Sequence, residues 1–499
     1  MILSLDGGAN GTSIEPFVGG WRGDCWCIAY CGIGFYVAGG QRGSQIRLEN
    51  EGRQTRPVLT YSLDIPQKIR KDSMAIWRSF LTIWIVYNNF ALPVIVPSGP
   101  TDSKCAETLK KINPTPLRPQ GSPVQESYFK VIDAVAAQLK GKKTFISPKV
   151  WREKTAKSGL PGLDLPLDVG GKNLPPSEMV KIFEYAGRYS LNLRDVVGAA
   201  HARPLLKSKE PEHRQIIEKV ARGEGYLAIA ITEPEVGSDV SAMTSVSTKV
   251  PGGYLINGEK LYNARFETAT DLLIFTQAPG STEKDPKLNV FVLPKNHPGL
   301  TYKKLKAHGL YGNSFGGVSF KDVFVPEKSR LGEDGEGRKV FYEHFAYWRL
   351  MQTGAALGTA RGALEQTAER MRSREAFGKK IGAFTHLQQE LANLTIRLEM
   401  ASAYVEKAAK LMDEGNYVEA SRMAAGAKAE GVDVAEKAAD FAMKTFGAEG
   451  YSKNVDLGER VNDLKGLRIA DGTQSVLQSD FLKKTYGQDF WNMSFGLDH

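Results

Sequence analysis

Cysteine is absent from most of this 499-residue chain: the four present are Cys25, Cys27, Cys31 and Cys105. Disulfides therefore cannot hold the main body together, and a reducing compartment is the default expectation. The Cys25–Cys31 cluster has no neighbouring histidine and no second pair, so no metal site is expected. A long apolar run is also missing. The best candidate, Phe80 to Val96, is interrupted by Asn88, Asn89 and Pro93 and falls short of a membrane span, so membrane association through residues 80–96 is not expected. Nor does one sign of charge dominate by position. The 65 Lys and Arg are dispersed among 56 Asp and Glu, and the net +9 does not mark a nucleic-acid binder, although it suits an enzyme that holds phosphates. Finally, residues 1–118 sustain neither a helical nor a strand period, and this stretch reads as a poorly structured or misassigned N-terminal extension.

What is present begins near residue 119. Hydrophobic residues make up 42% and charged residues 24% of the chain, an ordinary globular balance, and the length calls for more than one packed unit. Phe129, Ile132, Val135, Ala136 and Leu139 recur at helical spacing, predicting a helical domain over 119–225. Short runs rich in Ile, Val, Phe and Tyr then alternate with turn residues (YLAIAI, YLIN, LLIFT, NVFVL, GVSF), predicting a β domain over 226–335. Helical period returns over 336–490, leaving a tail at 491–499. Leu350, Leu357, Leu364 and Met371 form one stripe, with Ala356, Ala360 and Ala363 on the same face. Leu387, Leu391, Leu394, Leu398 and Val405 form a second, and Met423, Ala427, Val434, Ala438 and Phe441 a third. Long helices with small residues on one face predict a close-packed bundle.

The segment TEPEVGSD, Thr232 to Asp239, follows a predicted strand. By itself it is a polar turn whose hydroxyls and backbone N–H groups could bond a ligand edge. In context it resembles the TEP-x-x-GSD signature of the acyl-CoA dehydrogenase family. Five further segments are similar to family motifs in the same order: GLPGLDLPLDVGG, HGLYGNSFGGVSFKDVFVP, the stretch from Arg349 through SREAFGKKIG, FGAEGY (Phe446–Tyr451) and IADGTQ (Ile469–Gln474). The resemblance implies an α+β fold with an N-terminal helical domain, a middle β-barrel-like domain and a C-terminal four-helix bundle. It also implies bound FAD and a homo-oligomer, a tetramer in this family. Thr232, Ser238 and Tyr262 would lie against the flavin ring. Arg374, Phe377 and Gly378 would reach the adenosine diphosphate half of a neighbouring subunit's FAD, where a guanidinium pairs well with pyrophosphate. Gly447, Thr473 and Gln474 complete the expected cofactor set.

The family chemistry is removal of an α-proton from an acyl thioester by a carboxylate, with hydride transfer to flavin N5. One family position for that base is Trp348 here, which cannot abstract a proton; the other is Asp471, one methylene shorter than the usual glutamate. Asp471 is the expected catalytic base, acting on an acyl-CoA or related carrier thioester, with electron-transfer flavoprotein or oxygen as acceptor. A cytoplasmic or mitochondrial matrix-like soluble compartment fits this reading. Departures keep alternatives open. Ala264 stands where the family places a threonine that bonds flavin N5, Lys444 replaces a glutamine, Ala448 a glycine, and Asn462 an arginine. A flavin oxidase or monooxygenase of the same fold, as in nitroalkane oxidases, or a non-catalytic structural relative, are the competing readings.

Overall fold

The structure is a computed structural model that describes residues 121–139, 147–282 and 284–489, with the backbone of short strands before residue 98. The chain divides into two units, Met1–Pro114 and Thr115–His499. In the first, antiparallel hairpins pair Cys27–Cys31 with Gly34–Ala38, Arg47–Glu49 with Val58–Thr60, and Phe80–Tyr87 with Phe90–Pro97. The other expectations for residues 1–118, including the cysteine cluster and the side chains of 80–96, fall outside the described residues. Among the described residues no helix is long and apolar enough to cross a membrane, and no cluster could hold a metal ion.

The second unit opens with helices α1 (Pro123–Leu139), α2 (Pro148–Thr155), α3 (Pro176–Tyr189) and α4 (Pro211–Ala221). Each begins at a proline, whose fixed φ and missing N–H suit the first helical turn. The stripe foreseen on α1 is buried at Phe129, Ile132 and Val135, with Phe129 stacked on Tyr185 of α3 at 3.9 Å.

Seven strands follow: β1 (Leu227–Ala230), β2 (Val246–Val250), β3 (Gly253–Ala264), β4 (Asp271–Gln277), β5 (Leu288–Pro294), β6 (Leu300–Leu305) and β7 (Phe315–Pro326). They form one sheet in the order β5-β4-β2-β3-β7-β6, with β1 paired in parallel to β4. Register shifts at Gly316/Val318 and Phe320/Val323 bend β7 against β3, as bulges do. On β4 alternate residues serve different cores. Leu272 and Ile274 join Tyr254, Phe291 and Val325, whereas Leu273 and Phe275 pack with Leu205 and Ile217 of the helical segment. That is why this strand reads as a continuous apolar run rather than an alternating one.

The C-terminal helices are α5 (Gly337–Ser373), α6 (Thr385–Asp413), α7 (Tyr417–Phe446), the short α8 (Ala448–Tyr451), α9 (Leu457–Ile469) and α10 (Gln474–Tyr486). α5 is buried around most of its middle because α3, α6 and α7 all pack along it, α3 at unusually short range. A Cβ at Gly358 would lie 1.8 Å from the Glu184 carbonyl oxygen, one at Gly362 2.1 Å from that of Arg188, and one at Gly187 2.0 Å from that of Ala355. Glycine is therefore required for contact between the two backbones. The first and third stripes are buried apart from the partly buried Phe441, but the second is not uniform: Leu394, Leu398 and Val405 are covered while Leu387 and Leu391 are half-exposed.

Candidate active site

Glu233 lies inside the Thr232–Asp239 loop and governs its shape. One carboxylate oxygen accepts the Lys260 ammonium at 2.7 Å and the Ser245 N–H at 2.9 Å; the other accepts the Thr244 N–H and hydroxyl, each at 2.6 Å. Both partners of the ion pair are fully buried. Lys260 and the surrounding donors hold the Glu233 carboxyl down to about 2 despite its burial, while burial pulls Lys260 down to about 8. The Leu261 N–H bonds the Thr232 carbonyl at 2.8 Å, joining this loop to the end of β3. There Tyr262 has φ +63 and is 52% exposed, so a positive φ that a bulky residue rarely adopts turns an aromatic ring outward. Thr232 and Ala264 are half-exposed and Ser238 is exposed. An open ring beside a locked loop of hydroxyls fits the aromatic plane of a flavin.

Asp471 sits in a different setting. It follows α9 at φ +58, with Gly472 at φ +105, a left-handed turn that aspartate and glycine tolerate better than other residues. Gln352 Nε2 donates to its Oδ2, the Arg349 Nε–H to its carbonyl at 3.0 Å, and the Lys428 ammonium to the Gly472 carbonyl at 2.8 Å. Lys428 is 2% exposed, and burial lowers it to about 8. Thr473 caps α10 by accepting the Val476 N–H at 3.5 Å, and Gln474 Oε1 accepts from Arg468 at 3.0 Å. The neighbouring Asp463 ties this segment to the loop before β7 by accepting from the Leu310 N–H and from Asn192 Nδ2; burial raises its carboxyl to about 6.

Between these two regions is a buried polar cluster that sequence reading did not foresee. Arg265, at φ +71, pairs with the fully buried Asp195 and donates to Tyr226 at 2.7 Å and to His201. Its guanidinium lies 5.2 Å from the Trp348 ring. Asp195 and Asp471 are both among the charges that raise the Arg265 pKa, so the cluster is in electrostatic reach of Asp471. His201 Nδ1 faces His344 Nε2 at 2.8 Å, and burial depresses both imidazoles, His344 to about 3. The available signal was a cation, Arg265, directly after Ala264 at the end of an otherwise half-apolar strand.

The remaining predicted residues lie on the surface. Arg374, Phe377 and Gly378 occupy a two-residue hairpin in which Glu375–Ala376 pairs with Lys379–Lys380. Phe377 is 93% exposed. Gly378 (φ +72) and Gly447 (φ +64) have nothing within 4 Å of a built Cβ, which leaves room for a ligand or another backbone.

Family models for the "Acyl-CoA dehydrogenase, middle domain" and "Acyl-CoA dehydrogenase, C-terminal domain" match residues 228–323 and 335–485. A benzylmalonyl-CoA dehydrogenase of Aromatoleum aromaticum is 30% identical over 340 residues, 66% of this chain and 88% of that protein. The chain belongs to the acyl-CoA dehydrogenase family. An acyl-CoA dehydrogenase of Bacillus subtilis is likewise 30% identical, covering 65% of this chain and 86% of its own length. The butyryl-CoA dehydrogenase structure from Megasphaera elsdenii has the same fold, with TM-score 0.67 at 24% identity over 72% of this chain and 98% of that one. As an acyl-CoA dehydrogenase-family member the protein is an FAD-dependent oxidoreductase, and the fold foreseen from the motif order is the one observed.

Proposed function

We propose that this enzyme introduces a double bond between the α and β carbons of an acyl thioester, with Asp471 as the base that removes the α-proton. The carrying observation is the bonding of Asp471. Gln352 occupies Oδ2 and Arg349 the carbonyl, while Oδ1 has no protein partner among the described residues and can accept a proton. Arg349 and Lys428 anchor the two peptides that follow Asp471, and the N–H of Asp471 itself, on the family pattern, bonds the thioester oxygen and stabilises the developing enolate.

FAD supplies the hydride acceptor when bound. Thr232, Ser238, Tyr262, Thr473 and Gln474 would contact it from one subunit, and Arg374, Phe377, Gly378 and Gly447 from a second. The exposure of Phe377 supports that division, since a bare phenyl ring on a hairpin favours cover, and a homotetramer would provide it. Ala264 cannot bond flavin N5, so the site tunes its cofactor without that contact. The substrate carrier is coenzyme A or a carrier-bound pantetheine, and the acceptor is an electron-transfer flavoprotein. A cytoplasmic or mitochondrial matrix-like soluble compartment suits this reading.

The test is a spectral titration. Anaerobic acyl-CoA is expected to bleach the flavin absorbance of the purified protein, which then stays bleached for many turnovers' time in air and recovers on adding electron-transfer flavoprotein. Rapid recovery in air with peroxide formation would assign the oxidase reading instead.

A further inference from the structure

His344, Trp348 and Gln352 follow one another at four-residue spacing on α5 and so share one face. All three are buried, at 6%, 0% and 2% exposure. Each carries one polar atom without a hydrogen-bond partner: His344 Nδ1, Trp348 Nε1 and Gln352 Oε1. Buried polar atoms are nearly always bonded, and one left unmet costs about 1–3 kcal/mol. Three in a row on one helical face form a pattern rather than isolated defects.

Neighbouring bonds fix what each atom offers. Arg265 can only donate, so His201 Nε2 accepts from it; His201 Nδ1–H then donates to His344 Nε2, which leaves His344 Nδ1 carrying a proton. The stripe thus presents two donors, His344 Nδ1–H and Trp348 Nε1–H, followed by one acceptor, Gln352 Oε1. Its Gln352 end is bonded to Asp471. Trp348 stands one turn farther along, about 6 Å at the rise of an α-helix, so a group bonded there lies only a few bonds beyond a carbon deprotonated by Asp471. Trp348, with Phe183 packed edge-on at 6.0 Å and His201 at 5.0 Å, closes this direction to a long chain.

We infer that the acyl group of the substrate is short and bears an oxygen on its γ carbon, which the His344–Trp348–Gln352 face of α5 recognises. This specificity rests on the reading of Asp471 as the base. A hydroxyl satisfies both signs, accepting from Trp348 and donating to Gln352; a carboxylate accepts from the two donors. A methyl terminus leaves all three atoms unmet.

Butyryl-CoA, γ-hydroxybutyryl-CoA and succinyl-CoA form a series that differs only at the terminal carbon. In anaerobic stopped-flow reduction of the FAD-loaded enzyme, at least one oxygen-bearing member is expected to exceed butyryl-CoA in kcat/KM by about tenfold or more, as sites built around hydrogen bonds discriminate. Whichever leads distinguishes hydroxyl from carboxylate recognition. Trp348→Phe and His344→Phe are each expected to shrink that ratio, and calorimetric binding to the Asp471→Asn holoenzyme is expected to keep the same order of affinities. Butyryl-CoA equal to or better than both oxygenated thioesters, in rate and in binding, would overturn the inference and leave the three atoms to buried water. Failure of the base assignment is a separate outcome: Asp471→Asn would then reduce its flavin normally while the acyl preference persisted.

Discussion

Two carboxylates flank the proposed cofactor site, and they are held in opposite ways. Glu233 is buried and uses both oxygens, each with two donors, including the Lys260 ammonium. Asp471 is half-exposed, sits in a left-handed turn, and has one oxygen engaged by a neutral amide. A carboxylate with every lone-pair direction filled is pinned in its charged form and cannot take up a proton without breaking bonds. One with an open oxygen on an anchored backbone can. The contrast separates a residue that shapes the site from one able to work in it, although both lie in family motifs.

Breaking the saturated side should chiefly cost stability. Glu233→Gln leaves the Lys260 charge buried beside a neutral amide, and losing one partner of such a pair costs about 3–5 kcal/mol. A fall in Tm with weakened FAD retention is expected by calorimetry and flavin fluorescence. The wild type should lose the same contribution in acid, because a carboxyl lowered from 4.5 to about 2 stabilises the fold above 4.5 and ceases to do so as pH falls toward 2. A Glu233→Gln protein as stable as the wild type, with slowed chemistry, would reverse the roles assigned here.

On the other side, Lys428→Met removes the donor to the Gly472 carbonyl. The flavin-reduction rate is expected to drop about tenfold, the size of one lost charge-assisted hydrogen bond. The pH profile provides a second readout. Lys428 is lowered from 10.5 to about 8 by burial, so the unfolded chain binds more protons than the folded one between those values, and stability rises with pH across that window. Lys260 contributes in the same direction, so the Met variant should show a smaller, not absent, gain in Tm from pH 8 to 10. Equal gains would mean that Lys428 is not a buried cation. The smallest effect is expected for Arg374→Ala. This residue is exposed on its hairpin and should lose FAD affinity by about tenfold with no change in Tm of the apoprotein, checked by equilibrium dialysis.

The helical and strand periods made most of the architecture legible. Leu350, Leu357, Leu364 and Met371 are all buried as their spacing required, and the β4 run could be seen as a strand from its composition. What could not be read was which faces meet. Gly354, Gly358 and Gly362 stand out only once α3 is seen lying on them. The partners of Lys428 and Arg265 are 44 and 70 residues away, so local pattern gives no hint that these cations point inward; a lysine among alanines reads as a solvated one. Asp471 could be singled out because its neighbours Gly472 and Thr473 belong to a motif, whereas Asp195 and His201, without one, were invisible as members of a cluster.

Asp471 is the base in the reaction proposed above. Asp471→Asn preserves the shape of the turn and the Arg349 and Lys428 contacts, which fall on backbone carbonyls. Single-turnover anaerobic reduction of the FAD-loaded variant by its best acyl-CoA is expected to slow by ~10²–10⁴, the usual worth of a positioned general base, with FAD content and Tm unchanged. Reduction at nearly the wild-type rate would contradict the account and place the base elsewhere.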